Sequence, residues 1–455
     1  MKKIVVFISI AAVAGGCSVY RTYERPDLPV IDSLYQSPQP AGSADTVSLA
    51  ALSWKELFTD EPLQQLIETG LRNNVDLEVA RLKVAEAEAM LRSSKLAYLP
   101  SVSLAPQGSV SRPENAGTAR SYDLAAAADW ELDIFGRLTN AKREAKAALE
   151  ESEAYRQAVQ TQLVATIADS YYTLLMLDEQ VSITRRTAEN WAENLRVMQA
   201  LKRAGQTTQM AVAQTEASKL SADASVLTLE RQISETENAL CALLGIPSQH
   251  IGRSTLDAQR FPQELAAGVP LQLLQRRPDV RQSEAALAGA FYAANAARAA
   301  FYPSVTLSGS AGWTNAAGGA ISNPGQWLLS AVGSLVQPLF MRGQNAAALK
   351  VAKAQQQEAL LAFRQSLLDA GMEVNNALVQ WQTARRRLTL DEQQIVSLRS
   401  AVRSSELLMR YSSQNYLEVL TARQTLLQAE LSAVSDRFDE IQGVINLYHA
   451  LGGGY

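Results

Sequence analysis

The chain has 455 residues, 47% of them hydrophobic, with 42 basic against 46 acidic side chains and a net charge of −4. So even a balance offers no basic field for nucleic acid. Two histidines and two cysteines, each pair far apart in sequence, supply neither metal-ligand spacing nor a disulfide framework, and no nucleophile–base pair or phosphate loop stands out to suggest an enzyme or a cofactor.

At the N-terminus Lys2 and Lys3 precede an apolar run from Ile4 to Val13 and then Ala14, Gly15 and Gly16, the pattern of an export signal over residues 1–16. The run is too short to span a bilayer. Cys17 directly after small residues resembles a bacterial lipobox, with Ala14 where Leu is usual, and would be the lipidated first residue of the mature chain. Ordinary signal cleavage beside an incidental cysteine is the alternative. Pro26, Pro29, Pro38 and Pro40 make residues 17–53 an extended arm that suits a tether.

From Trp54 the spacing of Leu63, Leu66, Ile67 and Leu71 predicts helix, continued from about Val75 to the stop at Pro100. Two strands follow, at about 101–112 and 120–134. In the first, Val102, Leu104 and Val110 share one parity and Ser101, Ser103, Gln107, Ser109 and Ser111 the other. In the second, Tyr122, Leu124, Ala126, Ala128, Trp130 and Leu132 alternate against Asp123, Asp129, Glu131 and Asp133. All reach the length a tilted transmembrane strand needs, with Tyr122, Trp130, Trp313 and Trp327 available as interfacial aromatics.

No Pro or Gly interrupts Leu138 to Ala204, which reads as one helix about 100 Å long. Val181, Ala188 and Leu195, with Leu174, Leu177, Trp191 and Met198 between them, mark a coiled-coil seam. The chain reverses at RAGQTT, where Gly205 suits a helix C-cap. It returns through Met210, Ala213, Ala217, Leu220, Ala224 and Leu227 to Leu244-Gly245. The return helix and the helix before the strands would stack end to end beside the long one. Cys241 reads as a buried small hydrophobe and His449, near a helix end, as a cationic cap.

The second half repeats the first. Asn73 to Leu104 aligns without a gap on Arg276 to Leu307, at an offset of 203 residues that drifts to 207 where Leu244-Gly245 meets Leu451-Gly452. The first repeat is placed at 54–252, a linker at 253–275 and the second repeat at 276–452. Its strands fall at about 304–314 and 327–339, and its seam on Leu388, Ile395, Val402 and Met409. Four membrane-length strands cannot close a barrel, so the barrel must be shared. Two chains would give eight strands and a filled barrel; three would give twelve and leave a lumen. The acidic and seryl faces suit a wet interior.

TYERP (Thr22 to Pro26), SWKELFTDEPLQQLIETGLRNNVDLEVA, RRPDV, FYPSVTL, PLF and YLEVLTARQTLLQAE resemble ordered blocks of the TolC/NodT-like outer membrane factor family. That resemblance implies a mainly α fold with a membrane β-barrel: an internally duplicated channel-tunnel, trimeric and twelve-stranded, above a long periplasmic α-helical coiled-coil barrel. It implies a lipid-anchored homotrimer in the outer membrane of a Gram-negative-type cell. The trimer would dock on a periplasmic membrane-fusion adaptor and an inner-membrane RND-type transporter, and export drugs or other small molecules. Adaptor contact would fall on two hairpin tips: Arg203, Ala204, Gly205, Gln206, Thr207 and Thr208, and Arg410, Tyr411, Ser412, Ser413, Gln414, Asn415 and Tyr416. Glu418 stands where the family carries an entrance carboxylate, with Thr421 in place of a second one, and a solvated coiled-coil glutamate is the plainer reading of it. Asp123, Asp129, Glu131 and Asp133 would line the lower barrel and its junction with the helices. The protein-secretion ducts share this fold, and a periplasmic coiled-coil scaffold lipoprotein is the reading from a different class.

Overall fold

A computed structural model describes residues 20, 22–26, 52–112, 114, 117–261, 277–315, 326–411 and 416–453. The signal segment 1–16, Cys17, most of the arm and residues 262–276 lie outside them. In chain order the elements are α1 (Trp54–Leu57), α2 (Glu61–Asn73), α3 (Val75–Leu96), β1 (Ser101–Ser111), β2 (Ala119–Leu132), α4 (Arg137–Arg203) and α5 (Gln209–Leu243). A 3-10 turn at Leu256–Ala258 precedes α6 (Pro278–Ala299), β3 (Ser304–Thr314), β4 (Gln326–Val336), α7 (Gln344–Tyr411) and α8 (Tyr416–Ala450). The duplication is metric as well as sequential. The long helices have 67 and 68 residues, the return helices 35 each, and the helices before the strands 22 each.

The chain divides into two units, each drawing on both repeats. The first holds the sheet, with residues 1–28, 82–154 and 281–365. Its strands pair antiparallel in the order β1-β2-β3-β4, so β2–β3 joins the two repeats, and β1 and β4 are edges. β4 stops at Val336, short of the expected Leu339, because Pro338 has no backbone N–H to extend a ladder. The Gln337 amide instead donates to the Phe301 carbonyl at 3.1 Å. Two residues of the TYERP block dock in this unit: the Tyr23 ring meets Phe291 edge-on at 5.8 Å, and Arg25 pairs with Glu284 at 3.4 Å and lies 5.4 Å over Phe363.

The second unit (29–81, 155–280 and 366–455) carries the hairpins and an aromatic core. Tyr171, Tyr172 and Phe58 are buried with Leu63, Ile67 and Leu174, and Phe58 meets Tyr448 edge-on at 6.2 Å. The polar groups packed against these rings have partners: Tyr171 donates to Asp60 at 2.6 Å, and the Gln259 amide reaches Asp60 at 3.0 Å and Ser254 at 2.7 Å. Arg253 is held by Asp178 at 2.5 and 2.9 Å and reaches Glu237 at 2.5 Å, so the described start of the linker segment is packed rather than free.

Both return helices end alike. At α5 the Gly245 and Ile246 amides donate to Ala242 and Cys241; at α8 the Gly452 and Gly453 amides donate to His449 and Tyr448. Gly245 and Gly452 sit at φ of 66° and 79°, the left-handed position that closes such a motif. The next structural repeat of the same idea is a clamp. The Asn74 amide donates to the Leu243 carbonyl at 2.9 Å, and Arg277, at the matching position, donates to Ala450 at 2.8 Å. The start of α3 thus meets the end of α5, the end-to-end stacking expected of the short helices. A Cβ at Gly245 would lie 2.8 Å from the Asn73 carbonyl oxygen. Gly245→Ala should therefore cost about 2 kcal/mol from the positive φ and the close approach together, read as a lowered thermal midpoint in detergent.

One side-chain reading changes here, and the packed face of α5 becomes visible. Met210, Ala213, Ala217, Leu220, Ala224 and Leu227 are exposed in the chain, Met210 at 67% and Leu227 at 68%, and α5 packs through Ala211, Val212, Thr215 and Ala222. The α4 side of the seam is buried as expected, at Leu174, Leu177, Val181, Ala188, Trp191 and Met198. His449 is not a cationic cap. Burial, then the neighbouring Arg277 charge, holds its pKa below the usual value, so the ring is neutral at pH 7. Cys241 is buried as expected, its sulfur 3.6 Å from the Gln249 carbonyl.

Candidate channel wall and entrance

The register turns four alternating strands into one two-faced wall. Val102, Leu104 and Pro106 stand opposite Ala128, Ala126 and Leu124. Those β2 residues stand opposite Gly309, Ala311 and Trp313, and these opposite Ala331, Leu329 and Trp327. Directly opposed residues project to the same side, so one face is apolar from edge to edge. Val102, Val110, Trp327 and Leu329 on that face are each more than 70% exposed, a large apolar surface left uncovered by the described residues. Trp313 and Trp327 pack at 4.9 Å near one end of the strands. Towards the other end the Trp130 indole donates to the Tyr98 carbonyl at 2.9 Å. The aromatic rows are about 20 Å apart along the strand.

The opposite face is polar and ties its strands together by side chains. Ser109 bonds Ser121 at 2.7 Å, Ser308 donates to Asp129 at 2.6 Å, and Ser310 bonds Ser330 at 2.7 Å. Gln107 and Thr314 flank Asp123 in the register. Leu328, Val332 and Val336 interrupt this face on β4, so that strand alternates less cleanly than the other three.

The four acids of the second strand have different surroundings. Asp123 and Asp129 lie on the polar face. Glu131 chelates Arg137 through both guanidinium branches, Nε at 2.8 Å, which offsets a cation placed at the unfavourable N-terminal end of α4. Asp133 lies beyond β2 and caps α4, accepting from the Leu138 amide at 2.9 Å, the Thr139 amide at 2.7 Å and the Thr139 hydroxyl at 2.6 Å. Gly136, at φ 74°, makes the turn between them, and the Tyr20 ring sits 3.3 Å from where its Cβ would be. Reading Asp133 by strand parity missed this role. The signal for it was Asp followed by Gly and Thr just before an uninterrupted helical run.

At the first tip the Gln206 amide donates to Leu201 at 2.9 Å and the Gly205 amide to Lys202 at 3.0 Å, with Gly205 at φ 71°. This is a complete Schellman closure. Thr208 then caps α5, its hydroxyl accepting from the Ala211 amide at 3.2 Å. Arg203, Ala204, Gly205, Gln206 and Thr208 are left exposed, and Thr207 half-buried. At the second tip Arg410 and Tyr411 end α7 and Tyr416 opens α8, while Ser412, Ser413, Gln414 and Asn415 lie outside the described residues. Glu418 is exposed in the first turn of α8, where the helix dipole favours a carboxylate, and Thr421 donates to the Leu417 carbonyl at 2.9 Å. Next to it Val419 is buried, and Leu420 packs on both the Met198–Ala211–Val212 and Ala188–Trp191–Ala222 clusters, so the base of α8 is fastened to the first hairpin.

A family model described as outer membrane efflux protein matches residues 66–246 and 269–453. The antibiotic efflux pump outer membrane protein ArpC of Pseudomonas putida is 31% identical over 470 aligned positions, covering 100% of this chain and 96% of that protein. The cation efflux system protein CusC of Escherichia coli is 29% identical, covering 98% of each. Among solved structures, the open state of the Neisseria gonorrhoeae MtrE outer membrane channel matches with a TM-score of 0.86 at 28% identity, covering 96% of this chain and 98% of that one. With both repeats inside the family match and the fold shared along nearly the whole length, the chain belongs to the outer membrane efflux protein family and is the outer-membrane channel component of an efflux system.

Proposed function

We propose that three copies of this chain close a twelve-stranded barrel in the outer membrane, with the apolar sheet face to lipid and the seryl and acidic face to a water-filled lumen. The observation that carries this reading is the two-faced sheet with paired strands inside and single-sided edges at β1 and β4. An open edge in lipid leaves backbone groups unsatisfied, each at a cost of several kcal/mol, so the edges must meet those of other copies. Cys17 would carry the lipid, and residues 17–53 would tether it to the body.

The hairpin tips, Arg203 to Thr208 and Arg410 to Tyr416, would receive a periplasmic adaptor coupled to an inner-membrane RND-type transporter. Asp123 and Asp129 would face the lumen, and Glu418 would form a ring of three carboxylates at the periplasmic entrance. The cargo is a drug or other small molecule, the class suggested by the antibiotic and cation systems of the relatives, and its choice would rest mainly with the pump.

Planar-bilayer recording tests this reading. The wild-type protein should give discrete single-channel steps, and Glu418→Ala should reduce cation preference or change the step size by about twofold, since three converging charges dominate a narrow entrance. Conductance indifferent to Glu418 would remove the entrance assignment. Absence of conductance in a protein that folds without detergent would favour the scaffold reading.

A further inference from the structure

The two hairpins are copies, yet their seams differ at one level. In the first, Thr184 of α4 is buried and its hydroxyl donates to the Gln180 carbonyl at 2.7 Å. The offset of 207 residues places Asp391 of α7 at the level of Thr184, and Asp436 of α8 at the level of Leu229 in α5. An apolar or neutral pair has become two carboxyls.

Asp436 is 1% exposed. Its Oδ1 meets the Arg387 guanidinium at 2.7 Å. Its Oδ2 is buried without a donor, and so is Oδ2 of Asp391, the carboxyl that stands against it. Two ionised carboxylates in this position would leave two acceptors facing each other and one charge more than Arg387 balances. A single proton between them resolves both problems, because it converts one oxygen into a donor for the other. We propose that Asp391 and Asp436 form a shared-proton site that clasps α7 to α8, and that loss of this proton loosens the second hairpin while leaving the first untouched.

The surrounding charges do not supply another solution. From α7 the facing groups are Asp391 and Arg387; on α8, Asp439 adds a further negative charge, while Arg437 is paired with Glu440, which Arg385 also approaches at 3.8 Å. From the 259–260 segment, the Gln259 carbonyl accepts from Arg437, and Arg260 turns to the Asp257 and Gln259 carbonyls. Burial first, then contact with Asp391, pushes the Asp436 carboxyl up to about 6 against the pull of Arg387. A carboxyl raised in the folded state from 3.8 to about 6 stabilises the hairpin fully below about pH 4, and that stabilisation is lost as pH rises through about 6.

The test is amide hydrogen exchange on the full-length protein in lipid nanodiscs at pH 5 and pH 7.5, corrected for intrinsic exchange. Protection over residues 387–395 and 432–440 should be about tenfold greater at pH 5, with no such change in the twin segments 180–188 and 225–233. Asp391→Asn carries a permanent amide donor, so it should keep the low-pH protection at pH 7.5 and flatten the response. Equal protection at both pH values in the wild type overturns the proposal, as does an unchanged pH response in Asp391→Asn. The wild-type comparison stands without the variant. The inference rests on the hairpin packing alone and does not depend on what the channel conducts.

Discussion

Replacing Gly312 with alanine should abolish assembly of the protein in the outer membrane. Gly312 lies in β3 opposite Ala125 of β2, in the strand pair that joins the two repeats. A Cβ built there would lie 2.2 Å from the Leu124 carbonyl oxygen and 2.5 Å from the Ala125 Cα. Those neighbours are backbone, so no rotamer change relieves the overlap. The strands must part, at a cost of about 3 kcal/mol, and parting exposes ladder groups that lipid cannot satisfy. Two other strand glycines give an internal control. A Cβ at Gly309 would meet the Ser330 carbonyl oxygen at 3.5 Å, and one at Gly108 the Ser121 carbonyl oxygen at 3.9 Å, ordinary contacts in both cases. Gly309→Ala and Gly108→Ala should reach the outer membrane in near wild-type amount. Membrane fractionation and oligomer analysis of the three variants would check this, and normal assembly of Gly312→Ala would show that the β2–β3 pair relaxes.

Arg277→Leu should be the most destabilising change in the second unit. The Arg277 side chain is 3% exposed and chelates Asp279 at 3.0 and 2.7 Å, Glu373 at 2.6 Å and the Ala450 carbonyl at 2.8 Å. Removing the cation strands two carboxylates and a helix-terminal carbonyl. Asp279 and Glu373 are themselves almost half exposed, which lowers the cost from that of a fully buried pair to about 2–3 kcal/mol at neutral pH. The pH dependence identifies the cause. Burial pushes the Asp279 carboxyl up, but Arg277 and the Val280 amide outweigh it and hold it below the usual 3.8. A depressed carboxylate stabilises the folded state at neutral pH and loses that contribution as pH falls through its own pKa, here below about 4. Without Arg277 burial alone remains, the carboxyl rises, and acidification towards pH 5 should recover part of the lost thermal stability. A deficit independent of pH would assign the role of Arg277 to packing and to the Ala450 carbonyl.

Much of this architecture was legible because its signals are local. Strand alternation is a property of one strand's own side chains. The parity of Val102, Leu104, Tyr122, Leu124 and Trp313 therefore named the apolar face, and the register only aligned it across the sheet. The 67-residue helix followed from the absence of Pro and Gly, and the tip closure from Gly205. Alternation leaves two or three copies around the proposed barrel open, and the choice of three rests on resemblance to a family.

The sequence by itself determined the duplication, the order and lengths of the elements and the two faces of the wall, since each is written in residue spacing along one segment. Only the tertiary structure decided which face of α5 meets α4. That helix carries small and apolar residues on more than one side, so Ala211, Val212, Thr215 and Ala222 are buried while Met210 and Leu227 are exposed. It also decided that Asp133 caps a helix, that His449 is neutral beside Arg277, and that Asp391 meets Asp436 across a seam where its twin has Thr184. Each of these depends on a partner distant in sequence or on burial, and a side chain's charge and hydrogen bonding follow from what stands against it in the folded chain.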